Sequence, residues 1–311
     1  MWDMKTIEWI DIELTSYCNL ACPGCMREQL PYLKPHLNKD LLSLDSLKQW
    51  IKKEDLPNLK LINFCGSVDE PTSHPEFFKI IEYFKTFGLH INVSTNGSLR
   101  TPKWWAELAN ILPEQHTVIF GIDGVGKLSE KYRVGSNVKK VTNNCRSFIR
   151  SGGQAVWQFI LFDWNEHQLE DAKKLAVEEG FSKFRVVNSH RKTFNEKQTV
   201  KEELGEIECA YGKQKRIFLG HTGEVLPCCH FNSETLKMNL INTPSTNYGK
   251  LYEKHGKTLS TNLKFQHISE IIEGDLFKDV VKSWDETPLH KCEVTCRKRI
   301  RSTFDDITIP K

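Results

Sequence analysis

Three cysteines stand within eight residues, Cys18, Cys22 and Cys25, in the spacing C-x3-C-x2-C. Thiolates are ligands for soft metals and for iron–sulfur clusters. A tetrahedral structural zinc takes four protein ligands, which three thiols cannot supply. Three is also an odd number, so a disulfide framework would leave one thiol over. The trio suits a cubane iron–sulfur cluster in which the protein holds three irons and the fourth stays open. An open coordination position is what a catalytic metal site keeps and a structural one lacks.

Such a loop needs elements to position it. It directly follows a strand-like run, Thr6 to Leu14. Further strand-like runs are Leu59–Cys65, Leu89–Thr95, His116–Ile122, Gln154–Phe162 and Phe184–Val187. Between them lie stretches with helical apolar spacing: Asp40–Glu54, His74–Thr86, Pro102–Leu112, Val138–Arg150 and Glu166–Glu179. Gly88, Gly152-Gly153 and Gly180 read as helix stops, and Pro102 as a first-turn proline. Strands alternating with helices imply right-handed βαβ units on a parallel sheet. The expected fold class is therefore α/β, a partial (β/α)6 TIM-like barrel over residues 1–190. Active residues are then expected on loops after the C-terminal ends of the strands.

The cysteine loop resembles the signature of the radical S-adenosylmethionine (SAM) enzymes, with Gly24 where an aromatic residue often precedes the third cysteine. The resemblance implies a [4Fe-4S] cluster whose open iron is chelated by the methionine moiety of SAM. It also implies reductive cleavage to a 5′-deoxyadenosyl radical that takes a hydrogen atom from substrate. Cys65-Gly66-Ser67-Val68-Asp69-Glu70-Pro71 lies where the family carries Gly-Gly-Glu-Pro, and Glu70, Pro71, His74 and Pro75 match. Val68 and Asp69 stand in place of the two glycines. Ser94-Thr95-Asn96-Gly97 resembles the family's Thr-Asn-Gly turn, and Gly121-Ile122-Asp123-Gly124 with Arg133 resembles a Ser-x-Asp-Gly pattern with a downstream arginine. By this resemblance SAM is expected to meet Gly66, Asp69, Glu70, Ser94, Asn96, Asp123, Arg133 and Gln158. Asp123 suits ribose hydroxyls, and Arg133 can fork onto the methionine carboxylate. Cys65, at the mouth end of its strand, is the candidate catalytic thiol. It could donate a hydrogen atom or touch substrate, although free cysteine is among the most buried residues and a core role is favoured for it, as for Cys145 in its helix.

The remaining 191–311 changes character. Arg216–Leu219 and Glu224–Leu226 flank Gly220-His221-Thr222-Gly223, a hairpin pattern. Residues 232–264 are rich in Asn, Thr, Ser and Lys and read as a long polar loop, a lid or disordered. His267–Trp284 reads as one amphipathic helix. Cys209, Cys228, Cys229, Cys292 and Cys296 fall here. The arrangement resembles a twitch domain, a shortened relative of the SPASM domain. That resemblance implies a second, fully ligated [4Fe-4S] cluster on Cys209, Cys228, Cys292 and Cys296, with Cys229 able to exchange with Cys228. A structural zinc on the same four thiols is the rival.

Composition bounds the rest. A net charge of +3 on 311 residues is too mild to argue for nucleic acid. No apolar run approaches the length of a membrane span, and Met1–Lys5 has no apolar leader. Ten cysteines in that setting point to a reducing compartment, by default the cytoplasm. The expected partners are an external electron donor of flavodoxin or ferredoxin type and a small-molecule or peptide substrate. Oxidation of a small molecule is favoured, with the auxiliary cluster accepting the electron. Peptide maturation by thioether or carbon–carbon crosslinks is the alternative. It usually comes with an N-terminal peptide-binding domain, and only about five residues precede the first strand. A non-catalytic zinc-binding interaction protein is the reading from another class.

Overall fold

The computed structural model describes residues 1–37, 40–188, 206–242, 244 and 246–297, and the backbone of 304–308. One nine-stranded sheet organises it, in the order β8-β7-β1-β2-β3-β4-β5-β6-β9. The strands are β1 (Trp9–Ile12), β2 (Leu61–Phe64), β3 (His90–Thr95), β4 (Thr117–Gly121), β5 (Ala155–Leu161), β6 (Lys183–Asn188), β7 (Arg216–Leu219), β8 (Val225–Leu226) and β9 (Phe304–Thr308). Strands β1 to β6 run parallel, each beside the next in sequence. Helices Leu44–Trp50, Phe77–Lys85, Pro102–Ile111, Val138–Arg150 and Leu169–Glu178 form the crossovers. The sheet does not close, so the fold is a partial barrel.

Register explains the two faces. Ile10 pairs with Ile62, and Ile62 with Ile91. Val93 pairs with Val118, and Phe120 with Trp157. Side chains alternate along a strand, so these residues share one face, and all are buried in the main apolar core. Trp105 and Phe148, from two crossover helices, pack on Phe120 there. The opposite face carries a polar row, Asp11, Asn63, Asn92 and Thr117, in direct register across four strands. An open barrel can hold polar groups on its concave side while its convex side is covered by helices.

The expected hairpin forms, with β7 and β8 antiparallel. Its turn brings Gly223 to a φ of 100°, a conformation that costs glycine least. The hairpin does more than stand beside the barrel: β7 adds in parallel to the free edge of β1, and β9 adds antiparallel to β6.

Three expectations change. Residues 232–264 are not a long loop; they form the helices Asn232–Ile241, Asn247–Lys254 and Thr258–Thr261. Their polar composition hides a few buried anchors: Tyr248 stacks on Phe231 at 4.1 Å, and Tyr252 is fully buried. The helix expected over 267–284 is two, Ile268–Ile272 and Asp275–Lys282, broken at Gly274, where a Cβ would lie 2.8 Å from the Glu270 carbonyl oxygen. The first helix is shorter than 40–54, starting where the Ser43 hydroxyl accepts from the Ser46 amide. Residues 189–205, around the expected division between 1–190 and 191–311, lie outside the described residues. Among the described residues no helix is long and apolar enough to cross a membrane.

The convex core predicts a large cost for truncation. Phe120→Ala removes a fully buried ring that touches Trp105, Phe148 and Phe181. A loss of about 3–5 kcal/mol is expected from equilibrium urea unfolding.

Candidate functional site at the mouth of the barrel

The cysteine loop leaves β1 and crosses the C-terminal ends of the strands. The Cys25 amide donates to the Cys22 carbonyl at 2.9 Å, closing a tight turn. Arg27, buried two residues on, donates to the carbonyls of Ser16 and Val68 and so fastens the loop to the turn after β2. Cys25 Sγ lies 3.8 Å from the Ser67 carbonyl oxygen, and Cys18 Sγ lies 3.8 Å from Asn96 Nδ2. Burial, Glu70 and the other two thiols together push Cys18 up to about 12. The three sulfurs are thus near enough to act on one another, and the Arg133 guanidinium stands in the field of Cys22.

Glu70 ties this loop to the ends of β2 and β3. Its Oε1 accepts from the Thr72 amide at 3.2 Å, the Thr72 hydroxyl at 2.7 Å and the Thr95 hydroxyl at 2.7 Å. Its Oε2 accepts from the Asn96 amide at 2.7 Å. Burial raises its pKa against those four donors. Asn96 then donates to Asn19 at 3.1 Å, and Asn19 to the Ser98 hydroxyl at 2.8 Å. Arg100 covers the carbonyls of Thr72, Ser73 and His74.

Asp123 and Arg133 form a second buried constellation. Arg133 Nε donates to Asp123 Oδ2 at 2.7 Å, while Asp123 Oδ1 accepts from the Ile160 amide at 2.8 Å. Burial would lower the Arg133 pKa, but Asp123 and the field of Cys22 raise it, so the guanidinium stays charged. Gly121 makes room for it: a Cβ there would fall 2.4 Å from Arg133 Nη2. Gln158 pairs in register with Gly121, and Ser94 with Ile119, both half-buried on the strands. Asp69 points away from the loop's thiols. Its Oδ2 accepts from the Leu14 amide at 3.0 Å, and burial with Glu13 and Glu70 nearby raises its pKa well up.

Cys65 sits lower on the concave face. Asn63 Nδ2 lies 2.7 Å from its sulfur, and the sulfur lies 3.6 Å from Asp11 Oδ1. Burial and the Asp11 charge hold its pKa well above the usual thiol range, so it keeps its proton. Asp11 itself accepts from the Tyr211 hydroxyl at 2.5 Å and pairs with Arg216, whose guanidinium lies between the Trp9 and Tyr211 rings. Cys145 is buried in the core.

The C-terminal thiols separate into two groups. The Glu208 amide donates to the Cys296 carbonyl at 2.7 Å, and Ile207 bridges to Arg297, which brings Cys209 beside Cys296. A hydrogen bond from Cys296 pulls Cys209 down to about 7 and raises Cys296. Cys296 also stands in the field of Cys228 and Cys292. Cys229 faces the other way, toward Tyr211, Asp11 and Arg216, and burial pushes it up to about 11. Cys209, Cys228 and Cys292 thus all act on Cys296, while Cys229 acts on Tyr211. Among the described residues, no group of three or more His, Cys, Asp or Glu is arranged to hold a single metal ion as it stands. A cubane spreads its thiolates around a larger core than a zinc with Zn–S near 2.3 Å.

Sequence reasoning missed Asp11, Glu13, Arg27, Arg100, Tyr211, Arg216, His221 and Asn232. Asp11 and Glu13 carried one available signal, acidic side chains inside an otherwise apolar strand.

Residues 12–176 match the Radical SAM superfamily. The chain belongs to that superfamily. It is 26% identical over 263 residues, 72% of each chain, to the tungsten-containing aldehyde ferredoxin oxidoreductase cofactor-modifying protein of Pyrococcus furiosus. It is similar in fold to Streptococcus suis SuiB bound to S-adenosylmethionine, with a TM-score of 0.58 and 13% identity, covering 89% of this chain and 66% of that one. SuiB bound to the precursor peptide SuiA gives a TM-score of 0.59 and 11% identity, covering 89% and 67%. The superfamily's fold brings with it a SAM site and a [4Fe-4S] cluster, and the Cys18–Cys25 loop offers donors of the type such a cluster takes: three thiols, with the cationic Arg133 guanidinium in the field of Cys22.

Glu70 supplies a test of the site's frame. Each of its oxygens serves a backbone N–H, so the amide nitrogen of Glu70→Gln must face one of them. A loss of about 1–3 kcal/mol is expected in urea unfolding of the Glu70→Gln protein, with the fold retained.

Proposed function

We propose that this chain is an enzyme that cleaves SAM reductively and uses the resulting 5′-deoxyadenosyl radical to take a hydrogen atom from substrate. The convergence of the Cys18–Cys25 loop, the Glu70-anchored turns and the Asp123–Arg133 pair at one end of the sheet carries this reading. A [4Fe-4S] cluster on Cys18, Cys22 and Cys25, with SAM on its open iron, would supply the one-electron cleavage to methionine and the radical. The chain's own residues do the positioning. The carbonyls of Ser67 and Val68 lie toward the cysteine loop, one near Cys25 and the other on Arg27. The Asn96 side-chain Nδ2 lies 3.8 Å from Cys18 Sγ. Arg133 is held charged by Asp123, ready to meet an anionic group. Ser94 and Gln158 line the concave wall below.

The reaction type we favour is oxidation of a small polar molecule. The concave row Asp11, Asn63, Asn92 and Thr117 suits hydroxyl or amide groups rather than an apolar ligand. Cys65 keeps its proton, which fits it to give up hydrogen as an atom rather than to act as a nucleophile. Cys209, Cys228, Cys292 and Cys296 would hold a second, twitch-like cluster that could receive the electron a substrate radical releases. An external donor of flavodoxin or ferredoxin type would reduce the first cluster. Peptide maturation is the second reading, supported by the fold shared with SuiB in its peptide complex. By its name, the Pyrococcus furiosus relative acts on another enzyme's cofactor, which adds a small-molecule precedent.

Anaerobically reconstituted protein given SAM and a strong reductant is expected to yield 5′-deoxyadenosine and methionine. Alanine at Cys18, Cys22 or Cys25 abolishes that yield. Iron analysis is expected to give about eight irons per chain, falling to about four in a Cys292→Ala, Cys296→Ala protein. One zinc without the second set of irons would assign the C-terminal thiols to a structural metal instead.

A further inference from the structure

We propose that Glu13 is the positioning residue of the turn that receives SAM, and that the C-terminal hairpin and the Asn232–Ile241 helix hold Glu13 in that task. The proposal rests on reading Gly66–Glu70 as that turn. Glu13 lies just past the end of β1 and is fully buried. Its Oε2 accepts from the Ser67 amide at 2.6 Å, the Ser67 hydroxyl at 2.9 Å and the Val68 amide at 3.0 Å. Its Oε1 meets His221 Nδ1 at 2.6 Å and Asn232 Nδ2 at 3.1 Å. Asn232 Nδ2 also reaches the Ser67 hydroxyl at 2.6 Å. One oxygen therefore grips the turn, and the other is gripped by residues more than 200 positions away.

Geometry gives this grip a consequence. Two successive amides aimed at one carboxylate oxygen leave the carbonyls of the same peptide planes, those of Gly66 and Ser67, facing away from it. The Ser67 carbonyl accordingly faces Cys25, while the Val68 carbonyl, in the next peptide, accepts from Arg27. In this chain the carboxylate thus sets the Ser67 carbonyl position that a Gly-Gly pair would otherwise leave to the backbone. Gly66 permits the approach, since a Cβ there would lie 2.5 Å from Glu13 Cγ. The ion pair is stable in its setting. Burial would raise Glu13, but the hydrogen bond and charge of His221, with the Val68 amide and Ser67, hold it below the usual carboxylate range. Burial would lower His221, but Glu13, with Glu224 and Asp40 farther off, lifts it. Asn232 follows Cys228 by four residues, so the segment that carries one C-terminal thiol also carries the grip on Glu13.

The test uses the full-length, anaerobically reconstituted protein and its Asn232→Ala and His221→Gln variants. Hydrogen exchange of the 66–70 segment is read with and without SAM, and SAM affinity is read by titration calorimetry. Faster exchange at 66–70 by about tenfold in both variants is expected, with SAM bound about tenfold more weakly. The KM for SAM should rise far more than kcat falls, whereas a general loss of folding would lower kcat and the urea midpoint together. Unchanged exchange at 66–70, or unchanged SAM affinity, overturns the proposal. A wild-type protein that fails to bind SAM overturns the reading of the turn, and the exchange data then still decide whether Glu13 holds it.

Discussion

The mouth of this barrel depends on buried carboxylates whose hydrogen bonds come from the chain itself. Moving an ionised carboxylate out of water costs several kcal/mol unless hydrogen bonds replace the lost hydration. Glu13 recovers that cost from His221 and two backbone amides, while Glu70 recovers only part of it from backbone amides and threonine hydroxyls, so its pKa stays raised. A strand end offers such amides because the ladder stops there. The carboxylates therefore fix the loops that begin where the sheet ends, and those loops carry the thiols. Asp123 repeats the device between β4 and β5, accepting from the Ile160 amide and from Arg133.

The same burial governs the thiols. Cys18 is pushed up to about 12 by desolvation, by Glu70 and by its two sister thiols, so its thiol keeps its proton. A cluster held by this loop would have to displace that proton, and its cationic irons would relieve the repulsion that raised the pKa. Arg133 adds positive charge from the side of Cys22. In the proposed role, charge around Cys18 would thus set the balance between a cluster and a proton on that thiol.

Much of this was legible in the sequence, for physical reasons. The cysteine spacing is local, and local spacing survives folding. The six parallel strands were readable because a strand buried on its convex face and flanked by helices leaves short apolar runs bounded by turns. What was hidden was long-range or sparse. The Glu13 contact to His221 spans more than two hundred residues, and neither residue type announces the other. Residues 232–264 read as a loop because polar residues dominate them, yet Phe231, Tyr248 and Tyr252 are enough to anchor helices. The apolar spacing of 267–284 ran through Gly274 unbroken, while the backbone did not. Asp69 and Glu70 are adjacent acids that sequence treats alike. One turns inward to the Leu14 amide and the other to Asn96, because successive side chains in an extended turn take opposite sides.

The same alternation separates Cys228 from Cys229. Cys228 has φ −163° and ψ 164°, fully extended backbone, so its neighbour's side chain emerges on the opposite face. One sulfur joins Cys209, Cys292 and Cys296; the other enters the concave side beside Tyr211, Asp11 and Cys65. Tyr211, in the first turn of the short helix Ala210–Lys213 that Cys209 caps, also turns its hydroxyl to Asp11. Two short stretches of backbone thus form a wall shared by the barrel interior and the C-terminal thiol set. The pairing of β7 with β1 fixes that wall, because it places Arg216 opposite Trp9 and so draws Tyr211 against Asp11. A hairpin standing free of the sheet would leave the two thiol sets unconnected. Joined to β1, it makes the C-terminal segment part of the barrel's own interior.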